Sequence, residues 1–126
     1  MPFDDVRRYL WQRFNDYRAG LGLPSLEFND EQSRACKQHA NYLASTSRSK
    51  GQLTSEQSPE NLRPGWNENV VATNAEDLDK AVDELVWRNL TRPELAQRVR
   101  GASQYFGADV TFDKDEKRLF LVIRLK

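Results

Sequence analysis

One cysteine and one histidine in 126 residues is a shortage that removes more functions than any other feature of this chain. Cys36 alone allows no internal disulfide and no cysteine-based metal cluster, and a zinc site of the usual kind wants two or more His or Cys ligands. Charge of one sign is missing too. Nineteen Lys plus Arg balance nineteen Asp plus Glu, so no long-range field gathers nucleic acid or an anionic membrane. No apolar run reaches membrane-spanning length, so no transmembrane segment is expected. The opening MPFDDVRRYLWQRF sets acids and arginines where a signal peptide would carry an apolar segment. A Met-Pro start placed directly on a helix is expected of a chain whose leader has been trimmed, so it says little about location.

What is present suits one folded domain, expected to span 1–126. Thirty percent charged residues provide a wettable surface, while 10% aromatics and repeated apolar stripes argue against disorder. Phe3, Val6, Leu10, Phe14 and Tyr17 recur at steps of three and four, which predicts an amphipathic helix stopping at Gly20. GLGLPSLEF punctuates the chain with Gly and Pro, and Leu21, Leu23 and Leu26 are its candidate core plugs. A second helix follows in NDEQSRACKQHANYLAST, capped by Asn29 or Asp30, with Ala35, Cys36, His39, Ala40 and Leu43 on one stripe.

Residues 44–66, rich in Ser, Gly and Pro, read as a long loop of the kind that either serves a binding surface or is partly disordered. A short strand around Val70 and Val71 leads to a third helix, with Thr73 and Glu76 spaced as a capping box and Leu78, Ala81, Val82, Leu85, Val86 and Leu90 as its buried stripe. A fourth, short helix is expected between a second capping box, Thr91 and Glu94, and Gly101. The tail YFGADVTFDKDEKRLFLVIRLK predicts a hairpin turning at DKDEK, with Ala108, Val110 and Phe112 alternating against polar neighbours. Its second strand, LFLVI, is apolar on both faces and must be covered above and below. The order of elements predicts a three-layer α/β/α sandwich around a mostly antiparallel sheet.

Few residues could carry chemistry. Cys36 and His39 share a helix face at i and i+3, which suits either a nucleophile pair or two packed core residues, and burial habits favour packing. Ser55, Ser58 and Ser103 lack the Gly-x-Ser-x-Gly turn that exposes a hydrolase serine. The acids of FDD and FDKDEK lack calcium-loop spacing. Arg88, Arg92, Arg98 and Arg100 could form an anion patch, but nearby Glu84, Glu94 and Asp109 favour a mixed-charge solvated face.

Several strings, taken in order, resemble the CAP superfamily of cysteine-rich secretory, antigen 5 and pathogenesis-related proteins, in its compact bacterial branch without disulfides. FNDYRAGLGLPSLEFNDEQSRACKQHANYLAS is similar to that branch's opening, with an Asn-x-x-Arg stretch, a Gly-Leu-Pro-x-Leu loop and a His-Ala pair. NENVV resembles the Gly-Glu-Asn-aliphatic motif, AVDELVWRN the helix ending at Trp, and YFGADVTFD the Ile-Gly strand of the terminal hairpin. The likeness runs from about residue 6 to 126.

The resemblance implies a cleft that in the family holds two His and one or two Glu able to bind a divalent metal. Here the first His position falls on Ser55 and the second on Pro93, the helix acid becomes Leu90, and only Glu68 matches. One carboxylate without imidazoles is a poor transition-metal site and has no near-neutral partner for proton transfer. No metal or cofactor is expected. The resemblance implies an extracellular or cell-envelope binding module for a lipid, glycan or protein partner, with Trp66, Asn67, Glu68, Asn69, Ser55 and Arg92 lining the cleft and Cys36 and His39 structural. A monomer is compatible with this reading. The alternatives are a divergent metal-assisted hydrolase or protease using Glu68, and an intracellular scaffold whose likeness to the family is accidental.

Overall fold

The computed structural model describes residues 3–56, 66–77, 80, 82–84 and 104–126. Helix α1 (Phe3–Gly20) is followed by a two-residue strand β1 (Glu27–Phe28), helix α2 (Asp30–Lys50), and strands β2 (Asn67–Asn74), β3 (Tyr105–Asp113) and β4 (Arg118–Leu125). The strands form one sheet in the order β1-β3-β4-β2. β4 runs antiparallel to both long neighbours and β1 pairs parallel with β3, so the sheet is mixed.

Alternation along β4 explains the layering. Leu119, Leu121, Ile123 and Leu125 join Ala108 and Val110 of β3 in a core with Val6, Leu10 and Phe14 of α1 and with Val82. Phe120 and Val122 point the other way and pack with Val70 and with Cys36, Ala40 and Leu43 of α2. Side chains in a strand alternate faces, so an apolar run of this length demands a helix on each side. That is the α/β/α sandwich expected from the sequence. Each fully buried aliphatic side chain of these clusters contributes on the order of 1.5–3 kcal/mol.

Local signals set the helix ends. Asn29 caps α2, its side-chain oxygen accepting from the Gln32 N–H at 2.8 Å. At the end of α1, Asn15 accepts from the Leu26 N–H at 2.7 Å while Arg18 Nε donates to the Pro24 carbonyl at 2.8 Å. The Asn-x-x-Arg stretch thus ties the Gly-Leu-Pro loop to its own helix and drives Leu26 into the core, where it is 1% exposed.

Three expectations need correction. Helix α2 does not end near residue 46 but continues to Lys50, so the first part of the expected loop is helical. Ser47 is buried and its hydroxyl accepts from the Thr54 N–H at 3.1 Å, while Gly51 closes the helix in the left-handed region at φ 67°. Thr73 is not a helix cap: it lies in β2 opposite Leu119, and Asp77 accepts from the Lys80 N–H at 3.0 Å instead. The strand expected around Val70 and Val71 is eight residues long, because β4 offers it a full antiparallel partner. Val82 is buried as expected. The rest of the third-helix stripe, Leu78, Ala81, Leu85, Val86 and Leu90, lies outside the described residues, as do the Thr91 and Glu94 box and Gly101.

Beyond the short β1, the exposed edge of β3 is met by side chains of α2 rather than by another strand. Ser33 Oγ donates to the Ala108 carbonyl at 2.9 Å and accepts from the Ala108 N–H at 3.0 Å, and Lys37 Nζ donates to the Val110 carbonyl at 2.6 Å. Thr111 Oγ1 then donates to Asn41 Oδ1 at 2.6 Å. Positions 33, 37 and 41 are successive turns of one helix face, so α2 closes an edge that would otherwise offer unpaired backbone groups. Gly107 permits this approach: a Cβ there would lie 2.8 Å from Gln32 Cβ and 3.0 Å from the α2 backbone.

Candidate functional site

Glu68 is the second residue of β2 and stands directly opposite Arg124 of β4. Both belong to the face that packs on α2. Arg124 Nε donates to Glu68 Oε2 at 2.8 Å, with each side chain 1% exposed. A second guanidinium nitrogen, Nη1, donates to Gln32 Oε1 in the first turn of α2 at 2.9 Å. The three side chains join two strands and a helix through charge-assisted bonds, the strong class of protein hydrogen bond. Every buried side-chain nitrogen and oxygen among the described residues has a partner.

That arrangement decides what Glu68 can do. A divalent cation at its carboxylate would sit beside a fixed guanidinium, where like charge opposes binding in a low dielectric. The same guanidinium occupies the carboxylate with a 2.8 Å ion-pair contact inside the protein, away from solvent and substrate. Ser55, which the resemblance sets at the first family histidine position, is exposed and carries a hydroxyl. Pro93, which it sets at the second, lies outside the described residues. Glu68, held by Arg124, does not fit the role of a metal ligand.

The other expected site residues divide by accessibility. Trp66 is 8% exposed, with its ring 6.5 Å from that of Tyr105 at the start of β3. Asn67 is exposed and Asn69 is half-buried. Arg92 lies outside the described residues, as do Ser58, Ser103, Arg88, Arg98 and Arg100.

Cys36 and His39 serve the α2 packing face. Burial pushes the Cys36 thiol far above its ordinary range, and nearby Arg124 only partly offsets this. Since the thiolate is the nucleophilic form, this cysteine is inert toward substrates. His39 Nε2 lies 2.7 Å from the Glu56 carbonyl, which can only accept, so Nε2–H donates in this bond. The imidazole stacks on Tyr42 with centroids 5.9 Å apart and an interplanar angle of 18°. It fastens the segment after α2 to the helix.

Arg124 and Gln32 are the members that sequence reasoning missed. The signal was present: counting by twos from Phe120 puts Arg124 on an inner face, and a buried arginine requires an acid within reach.

Comparison with solved structures places this architecture. The chain is similar to a cysteine-rich secretory protein from Staphylococcus aureus subsp. aureus Mu50, with 16% identity and a TM-score of 0.63 over 98% of this chain and 39% of that one. An outer surface protein from Borrelia burgdorferi is similar at 16% identity and a TM-score of 0.65, covering 94% of this chain and 90% of that one. The crystal structure of NaASP2 with Zn2+ is similar at 14% identity and a TM-score of 0.66, covering 95% and 78%. At these identities the likeness is one of fold, and this chain spans well under half of the staphylococcal protein. The comparison with curated proteins returned no match. The profile of the CAP, or cysteine-rich secretory protein, family matches residues 11–124, nearly the whole length, and the chain belongs to that family.

Proposed function

We propose that this chain is a non-catalytic CAP module that acts by binding a ligand or partner outside the cell or at its envelope. The observation that carries this reading is the Glu68 and Arg124 pair at 2.8 Å, buried on both sides. The one acid at a family cleft position is occupied in holding β2 to β4 and α2, and neither proton transfer nor metal binding is left to it. The exposed Asn67 and Ser55, the half-buried Asn69 and the edge of Trp66 that remains accessible are the ligand contacts assigned to this surface, with Arg92 as a further member. Amides, a hydroxyl and an indole suit a polar ligand recognised by hydrogen bonds and ring contact. An envelope setting is supported by family membership and by the outer surface protein among the similar folds. No described helix is long and apolar enough to cross a membrane.

The test is a titration of wild type and Glu68→Gln with Zn2+ and Ca2+, followed by melting temperature and by turnover of ester and peptide substrates. The expected result is a wild-type melting temperature that neither ion raises and no turnover above buffer. A metal-dependent rise and a measurable turnover, both lost in Glu68→Gln, would overturn the reading in favour of a divergent hydrolase.

A further inference from the structure

A hollow of about 370 Å3 opens where α1, β1 and the start of α2 meet, lined by Arg7, Arg8, Trp11, Phe28 and Asp30. Its volume is at the lower end of small-molecule sites. Arg7 and Arg8 precede Trp11 by four and three residues, so the three side chains share one side of α1. The indole is held in place: Nε1 donates to the Leu26 carbonyl at 2.7 Å, and the ring meets Phe28 edge-on with centroids 5.9 Å apart at 70°. Asn15 braces the same Leu26 backbone through its N–H. Both aromatic residues nonetheless stay only partly buried.

The charges around this aromatic wall are balanced. Arg7 faces Asp109 at 3.7 Å, and the exposed Arg8 and Asp30 place one guanidinium and one carboxylate at the rim. An anion entering the hollow meets Asp30, and a cation meets two arginines. A neutral polyol meets neither objection. Its C–H face packs on the indole, its hydroxyls donate to the carboxylate, and its oxygens accept from the guanidinium. We propose that this hollow is a glycan subsite, with one neutral sugar ring on Trp11 and its hydroxyls held between Arg8 and Asp30. The residues are distinct from those assigned to the β2 surface, so this inference stands or falls separately from the reading given above.

The experiment is an NMR titration of the 15N-labelled chain with triacetylchitotriose, maltotriose and cellotriose, with trigalacturonate and diglycine as anionic and zwitterionic controls. At least one neutral trisaccharide is expected to shift the Trp11 indole N–H and the Phe28 and Asp30 amides saturably. Arg8→Ala and Asp30→Asn alter exposed side chains and are expected to stay folded while weakening binding about tenfold each, the cost of one charged hydrogen bond. No saturable shift with any neutral trisaccharide overturns the proposal. So does tighter binding of trigalacturonate or diglycine, or unchanged affinity in both variants.

Discussion

The two faces of β4 fill the core by different means. Toward α1 the strand offers Leu119, Leu121, Ile123 and Leu125, an apolar series with no directional partner. Toward α2 it offers Phe120, Val122 and then Arg124, whose guanidinium is fixed at 2.8 Å and 2.9 Å to Glu68 and Gln32. The apolar face accepts any side chain of about the right volume, whereas the polar end accepts one arrangement. A one-residue slip of β4 would carry Arg124 onto the α1 face, among leucines and away from Glu68. The α2 face therefore fixes the register, and the α1 face supplies most of the hydrophobic burial.

Substitutions should separate the two faces. Arg124→Met removes the guanidinium that pairs with the buried Glu68 carboxylate and is expected to cost about 3–5 kcal/mol in urea unfolding. A loss below about 1 kcal/mol would remove the claim that the pair organises this face. Gly107→Ala drives a methyl into the α2 backbone and should cost about 1–3 kcal/mol, visible as a lower urea midpoint with an unchanged slope. On the opposite face Leu121→Met keeps volume and chemistry, so its cost should stay below about 1.5 kcal/mol. A Leu121→Met variant as unstable as Arg124→Met would erase the contrast.

The smallest effect concerns the hairpin end of the sheet, where Arg48 donates to both oxygens of Asp113 at 2.6 and 2.5 Å. Those bonds bring the Asp113 carboxyl down from 3.8 to about 2. A carboxyl depressed in the folded state adds stability that is fully present above its ordinary value and is lost as pH falls from about 4 to about 2. Asp113→Asn should flatten the acid limb of the stability profile in that window and leave the rest of its shape unchanged. An acid limb identical to wild type would show that Arg48 contributes nothing through this pair.

The features legible from the sequence were those with a period. Val6, Leu10 and Phe14 declared α1, the β3 and β4 alternation declared the sandwich, and DKDEK declared the turn, where Lys117 takes φ 53°. The illegible features lack one. Strand β1 has only two residues, too few for a pattern. The end of α2 is polar because Ser47 and Arg48 bond to the following loop and to Asp113, so composition suggested a loop where tertiary contacts hold a helix. Glu68 could be picked out by its motif, but its role depends on Arg124, 56 residues away. Only the register of β2 on β4 reveals that they meet.

A double-mutant cycle on Glu68→Met and Arg124→Met tests that meeting most directly. Each single variant removes one charge of the pair and leaves the other buried, while the double variant leaves an apolar pair on an already apolar sheet face. The double variant is expected to be more stable than either single one, with a coupling of at least about 1.5 kcal/mol in urea unfolding. Losses that add to within about 0.5 kcal/mol would show that the two residues act independently and would contradict the claim that the pair organises this face.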